Sequence, residues 1–177
     1  MNLAGKRVGD CDAGEAKKAQ DAQVARVKQQ VAEGERMAAD AHARACMSVA
    51  EGADLRSLTM QMENGMCKDA KYKVAFCESI KKCDVFKKLL ELEKSQPEYG
   101  LKAAAKFCGV DVAGLKTACC DEAVKNEDLE FIEAQCPGKA RDFALAKCAG
   151  LGYSALMGGK WQEFCTTYAK EIMEKGH

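Results

Sequence analysis

Aromatic side chains and prolines are scarce in this sequence, and long apolar runs are absent. Phe, Trp and Tyr make up 6% of the 177 residues, and there are two prolines. No stretch approaches the roughly 18 consecutive apolar residues of a transmembrane helix, so we expect no membrane span. Proline interrupts helices, and its scarcity leaves long stretches open to continuous helix. With few aromatics and many alanines, the pattern predicts close-packed helices over a thin core.

An excess of charge of either sign is also absent. Lys and Arg total 27, Asp and Glu total 27, and the two signs are interleaved along the chain. Proteins that bind nucleic acid normally carry a basic excess on one face. Anionic membrane surfaces likewise attract clusters of Lys and Arg. We therefore expect neither nucleic acid nor an anionic membrane as a partner.

Motifs for catalysis or cofactor binding are missing as well. The two histidines are His42, within a charged helical stretch, and the terminal His177. The stretch 150–155 fits Gly-x-Gly-x-x-Ala, but a helix rather than a strand precedes it, which argues against a dinucleotide site. Gly-Gly-Lys at 158–160 is followed by Trp161, not by the Ser or Thr of a phosphate loop. We predict no catalytic residue and no cofactor.

Cysteine, in contrast, is abundant: there are eleven, spread along the whole chain. Structural zinc sites and thioredoxin-like sites use closely paired cysteines such as Cys-x-x-Cys, and this motif does not occur. Scattered cysteines are typical of disulfides, which we favour over metal thiolates and over reduced core cysteines. The disulfide candidates are Cys46, Cys67, Cys77, Cys83, Cys108, Cys119, Cys120, Cys136, Cys148 and Cys165.

The cysteine pattern also makes finer predictions. Cys11 is the expected odd cysteine, because it stands near the terminus and 35 positions from the next one. The adjacent Cys119 and Cys120 point about 100° apart on a helix, so each should bond a different segment. We also expect the disulfides Cys46–Cys67 and Cys148–Cys165. Each would join one helix to the segment that follows its bend.

Disulfides place the protein in an oxidising compartment, and we expect it to be periplasmic or extracellular. The segment 1–7 has no apolar core and is not expected to be a signal peptide. Export therefore presupposes a leader that was removed.

The long stretch 12–50 reads as one helix. Asp12 is the expected N-cap, with Glu15 three residues later to complete a capping box. Small and apolar residues recur at alternating steps of three and four, which resembles a weak coiled-coil seam. Two interpretations stay open: an amphipathic helix lying on its own domain, or a seam for another protein or for self-association. The seam residues are Gln20, Val24, Val27, Val31, Gly34, Ala38, Ala41 and Ala45.

Shorter helices follow the long one. Aspartates and an asparagine are the expected N-caps, and the stretch 95–100 is the best candidate for a boundary between two halves. We predict an all-α, disulfide-stapled multi-helix bundle that forms a single domain over 1–177. The pattern also allows a division into the helix 12–50 and a cysteine-rich body over 51–177. The expected helix starts are Asp54, Asp84, Leu101, Asp111, Asn126, Pro137 and Lys160.

One cluster suggests a metal. Three methionines, Met60, Met62 and Met66, lie next to Cys67. Thioether and thiolate ligands suit Cu(I). The alternative is packing, because methionine commonly fills gaps in helical cores.

These observations favour a non-enzymatic exported helical domain, acting in protein–protein interaction or as a structural module of the cell envelope. A carrier of a small apolar ligand, or of a soft metal ion such as Cu(I), is the alternative.

Overall fold

The computed structural model describes residues 13–150 and 161–170, and every regular element in these ranges is an α-helix, as predicted. Predictions for Cys11, Asp12, the stretch 151–160 and the end of the last helix lie outside the described residues. The helices are α1 (Ala13–Glu51), α2 (Leu55–Glu63), α3 (Ala70–Ser79), α4 (Cys83–Ser95), α5 (Leu101–Cys108), α6 (Val112–Asn126), α7 (Leu129–Gln135), α8 (Pro137–Cys148) and α9 (Trp161–Thr167).

The chain divides into two compact units after Ala45, within α1. The first unit holds the helical residues 13–45, and the second begins at Cys46. The boundary predicted at 95–100 is wrong, because α4 and α5 on either side of this turn pack against each other. The Glu93 carboxylate accepts a hydrogen bond from Lys102 N at 3.0 Å, so the turn is tied across its two ends.

Aspartate N-caps start four helices of the second unit. Asp54 Oδ1 accepts from Ser57 N at 2.9 Å, and Asp111 Oδ2 accepts from Gly114 N at 2.9 Å. These two caps were predicted, and each satisfies a backbone N–H that has no partner within the helix. Asp69 and Asp128 cap α3 and α7 in the same way.

Two other predicted caps are wrong. Asn126 is the last residue of α6, and Asp128 caps the following helix instead. The reason is that α6 runs on to Asn126 before Glu127 adopts a left-handed conformation (φ 53°) and ends it. Asp84 lies inside the first turn of α4, which begins at Cys83. Cys83 is buried and covalently bonded, so the tertiary structure sets where this helix starts.

The core of the second unit forms where α4 to α8 stack on one another, with α3 against α5 and α9 against α8. Aromatic rings pack edge to face between these helices. The ring centroids of Phe86 and Phe131 lie 6.2 Å apart, and those of Phe143 and Phe164 lie 6.1 Å apart. The largest fully buried side chains include Phe76, Phe86, Phe164, Leu58, Ile80 and Ile132. The few aromatics are thus concentrated at the contacts between helices.

Five disulfides staple the described residues, and both pairs that we expected, Cys46–Cys67 and Cys148–Cys165, are among them. Cys119 and Cys120 bond different segments, Cys83 and Cys136 respectively. The fifth pair is Cys77–Cys108. Sequence separations of 16–36 residues put the stabilisation at about 3–4 kcal/mol per bond in the chain-entropy treatment. These ten cysteines are therefore neither thiolate ligands nor reduced core residues, and five disulfides are consistent with an oxidising compartment.

Candidate interaction surface

The seam of α1 is uncovered. No residue from Gly14 to His42 is buried, and Ala45 is also exposed. Val24, Val27 and Val31 are 46%, 51% and 55% exposed. These exposures give no support to the interpretation that the helix lies on its own domain. The eight residues from Gln20 to Ala45 keep the predicted spacing and form an exposed stripe, which we call the α1 seam.

The exposed seam does not contribute the free energy that burial of an apolar helix face normally provides. Isolated helices gain little from propensity alone, and in proteins most helical stability comes from packing an apolar face. Burial of apolar surface contributes about 25 cal/mol per Å², so covering three half-exposed valines with a partner would stabilise the complex. A shallow depression of about 330 Å³, open to solvent, lies on the first two turns of the seam and is lined by Gln20, Gln23, Val24, Val27 and Lys28.

Gly34 sits in the middle of this stripe without any steric need for glycine. A Cβ built at this position meets no atom within 4 Å. Glycine within a helix is less favourable than alanine by about 1 kcal/mol. Nothing in the described part of the chain accounts for that cost, whereas a second helix packed on the seam would benefit from the close approach that glycine allows.

Polar side chains, three of them charged, line one flank of the seam at seven-residue intervals. They are Asp21, Lys28, Glu35 and His42, and all four are exposed. Neither Lys28 nor Glu35 forms an ion pair within the described residues. The seven-residue spacing of all four residues is visible in the sequence.

Among the large exposed apolar side chains described in the other unit, Val74 is the most exposed. Val74 is 60% exposed, beside a shallow depression of about 380 Å³ next to the Cys77–Cys108 disulfide. The face of α3 that carries Val74 points to solvent, whereas Tyr72 and Phe76 are buried. Unlike the α1 seam, this patch shows no periodic pattern of small and apolar residues.

The four copper candidates do not form a thiolate site. Cys67 is bonded to Cys46 and offers no free sulfur ligand. Met60 and Met66 are exposed, and Met62 is only partly buried against the core. The described residues also contain no group of three His, Cys, Asp or Glu side chains that could hold a metal ion. Of the four Cu(I) candidates, Cys67 is therefore not a thiolate ligand, and the three methionines stay as thioether candidates.

A depression of about 250 Å³ lies between α4 and α7, where a carrier could hold a ligand. It opens to solvent, and its lining mixes charged with apolar side chains: Lys87, Leu90, Glu91, Asp128, Glu130, Phe131, Ala134 and Gln135. Lys87 Nζ donates a hydrogen bond to Asp128, and this bond holds the pKa of the Asp128 carboxyl below its ordinary value. Charged walls and an internal ion pair suit a small apolar ligand poorly.

In the residues that the structure describes, no helix has both the length and the hydropathy needed to cross a bilayer. No protein-family profile, no curated protein and no solved structure matches this chain.

Proposed function

We propose that this protein is a non-enzymatic interaction module that binds an α-helix of another polypeptide along the α1 seam. The observation that carries the proposal is the run from Gly14 to His42, in which no residue is buried although the run includes three valines at helical spacing. We further propose that it works in the periplasm or outside the cell, where its five disulfides would persist.

The geometry of the seam favours a helix as the binding partner. Alternating steps of three and four residues follow the side of a helix that faces a supercoiled neighbour. Small residues such as Gly34 and Ala38 allow a second helical backbone to come close, whereas an extended peptide would gain nothing from this spacing. A globular surface would cover a broad area rather than one narrow stripe.

Site-specific photo-cross-linking in the cells that make the protein tests the proposal. A photoreactive amino acid replaces Val27, on the seam, in one variant and Gln29 in the control. These positions lie about 200° apart around the helix, and both are exposed. We expect a discrete covalent adduct with a protein from position 27 and little or none from position 29.

Equal cross-linking from both positions would contradict a binding face at the seam, and so would no adduct from position 27. A second variant, Val24→Asp combined with Val31→Asp, should abolish the adduct formed from position 27. Both valines are exposed, so the disulfide-bonded body should keep its circular dichroism spectrum and its melting temperature.

A further inference from the structure

We propose that the helix bound along the seam is α1 of a second copy of this chain, running antiparallel, with Val31 of each copy opposite Gly34 of the other. This inference rests on the proposed function and names its partner.

The sizes of the seam residues match only when one helix is reversed. In the proposed register, Val31 faces Gly34, Val27 faces Ala38, and Val24 faces Ala41 of the second copy. Each valine therefore faces a small residue, and the two side chains of each facing pair have a similar total size in all three pairs. The two helix axes can then keep one distance, which side-chain size at the contact determines. The overlap from Gln20 to Ala45 is about 39 Å long at 1.5 Å per residue.

The flanking charges agree with the same register. The residues that directly follow Gln20, Val27, Gly34 and Ala41 form one flank of the seam. In an antiparallel pair, this flank lies beside the same flank of the other helix. Lys28 then lies opposite Glu35 of the second copy, and the symmetry of the pair repeats this contact. Asp21 lies opposite His42. Neither Lys28 nor Glu35 has an ion pair within the described residues, so both charges are available to a partner.

Neighbouring registers are disfavoured by the same charges. A shift of one heptad in one direction sets Lys28 opposite Lys28 of the second copy. A shift in the other direction sets Glu35 opposite Glu35. Like charges at these flanking positions oppose pairing, which is how coiled coils commonly select their register. The charge pattern therefore favours one alignment over its two nearest competitors.

A parallel pair lacks these advantages. In that orientation Lys28 would lie next to Gln23 of the second copy and Glu35 next to Gln30, so neither would meet an opposite charge. The valines would also face valines at one end while Gly34 and Ala38 faced themselves at the other. The helices would have to be far apart at one end and close at the other.

Charge exchange in the full-length, disulfide-intact chain tests the inference. All proteins carry Cys11→Ser, so that no bond between chains contributes. Sedimentation equilibrium measures the dimer dissociation constant of the parent, Lys28→Glu, Glu35→Lys and the double variant. Each single change turns two exposed attractive pairs into repulsive ones, so we expect roughly tenfold weaker association. The double variant restores both pairs and should return to the parent value.

Salt provides an internal check, because the single variants should approach the parent as screening increases. Three results would overturn the inference: a parent that stays monomeric up to about 1 mM, single variants that dimerise like the parent, or a double variant as weak as the singles. The photo-cross-linked adduct separates this failure from failure of the proposed function. An adduct of twice the chain mass supports a second copy, whereas an adduct with a different protein overturns only this inference.

Discussion

Lys87 and Asp128, 41 residues apart in sequence, are joined by an ion pair that ties α4 to the start of α7. Lys87 Nζ donates to Oδ2 of the carboxylate, while Oδ1 accepts from Phe131 N at 3.3 Å. The ammonium also lies 4.7 Å from the centroid of the Phe131 ring. A single carboxylate therefore serves both as the helix cap and as the tertiary ion-pair partner.

Two substitutions separate these roles of Asp128. Asp128→Ala removes the cap and the ion pair, and we expect the free energy of unfolding to fall by about 1–2 kcal/mol. Asp128→Asn keeps an oxygen that can cap the helix and loses only the charge, so the loss should be under about 1 kcal/mol. Urea unfolding with the disulfides intact measures both. Equal losses for the two variants would contradict a capping role.

The same carboxylate predicts a dependence of stability on pH. The hydrogen bond from Lys87 lowers the pKa of Asp128 from its ordinary value of 3.8, and the backbone bond from Phe131 acts in the same direction, against the effect of burial. A lowered pKa means that the stabilisation is present above that ordinary value, which applies to the unfolded chain, and is lost as the pH falls through the folded pKa. Unfolding free energies measured from pH 6 down to pH 2 should therefore fall less steeply for Asp128→Asn than for the parent. Identical slopes would show that this carboxyl does not contribute.

The disulfides should differ in their resistance to reduction. Cys77 and Cys108 are only partly buried, whereas the cysteines of the other four described pairs are all buried. Thiol attack requires access to the sulfur, so limited reduction of the native protein should open Cys77–Cys108 first. Alkylation followed by peptide mass spectrometry identifies the sites. The unreduced chain should show at most one free thiol, and more than about three would refute the disulfide framework.

Two glycines should respond in opposite ways to alanine. At Gly34 an added Cβ meets no atom within 4 Å, so Gly34→Ala should stabilise α1 of the monomer by up to about 1 kcal/mol. At Gly100 the same Cβ would lie 2.5 Å from Glu93 Cα, which is backbone and cannot move aside cheaply. Gly100→Ala should therefore destabilise the body. Amide hydrogen exchange in α1 and thermal unfolding of the body measure the two effects, and a stable Gly100→Ala variant would contradict the close packing of this turn.

The sequence alone determined the helical class, the framework of cysteines and many helix ends. Two prolines and abundant alanine left few alternatives to helix, and Asp54 and Asp111 have local capping chemistry that acts over two or three residues. Gly109 likewise ends α5 in a left-handed conformation that glycine adopts at little cost. Such effects are local, so they can be read from neighbouring residues.

Only the tertiary structure decided the start of α4, the remaining disulfide pairs and the exposure of α1. Cys83 overrides the capping preference of Asp84, because a buried residue bonded to a distant helix has its position set by long-range packing. The pairing of Cys77 with Cys108 depends on how α3 meets α5, which no local pattern encodes. The seam of α1 is periodic in the sequence whether it is covered or not. Its exposure is known only from the structure, because a repeat of small and apolar residues does not say whether that face is covered.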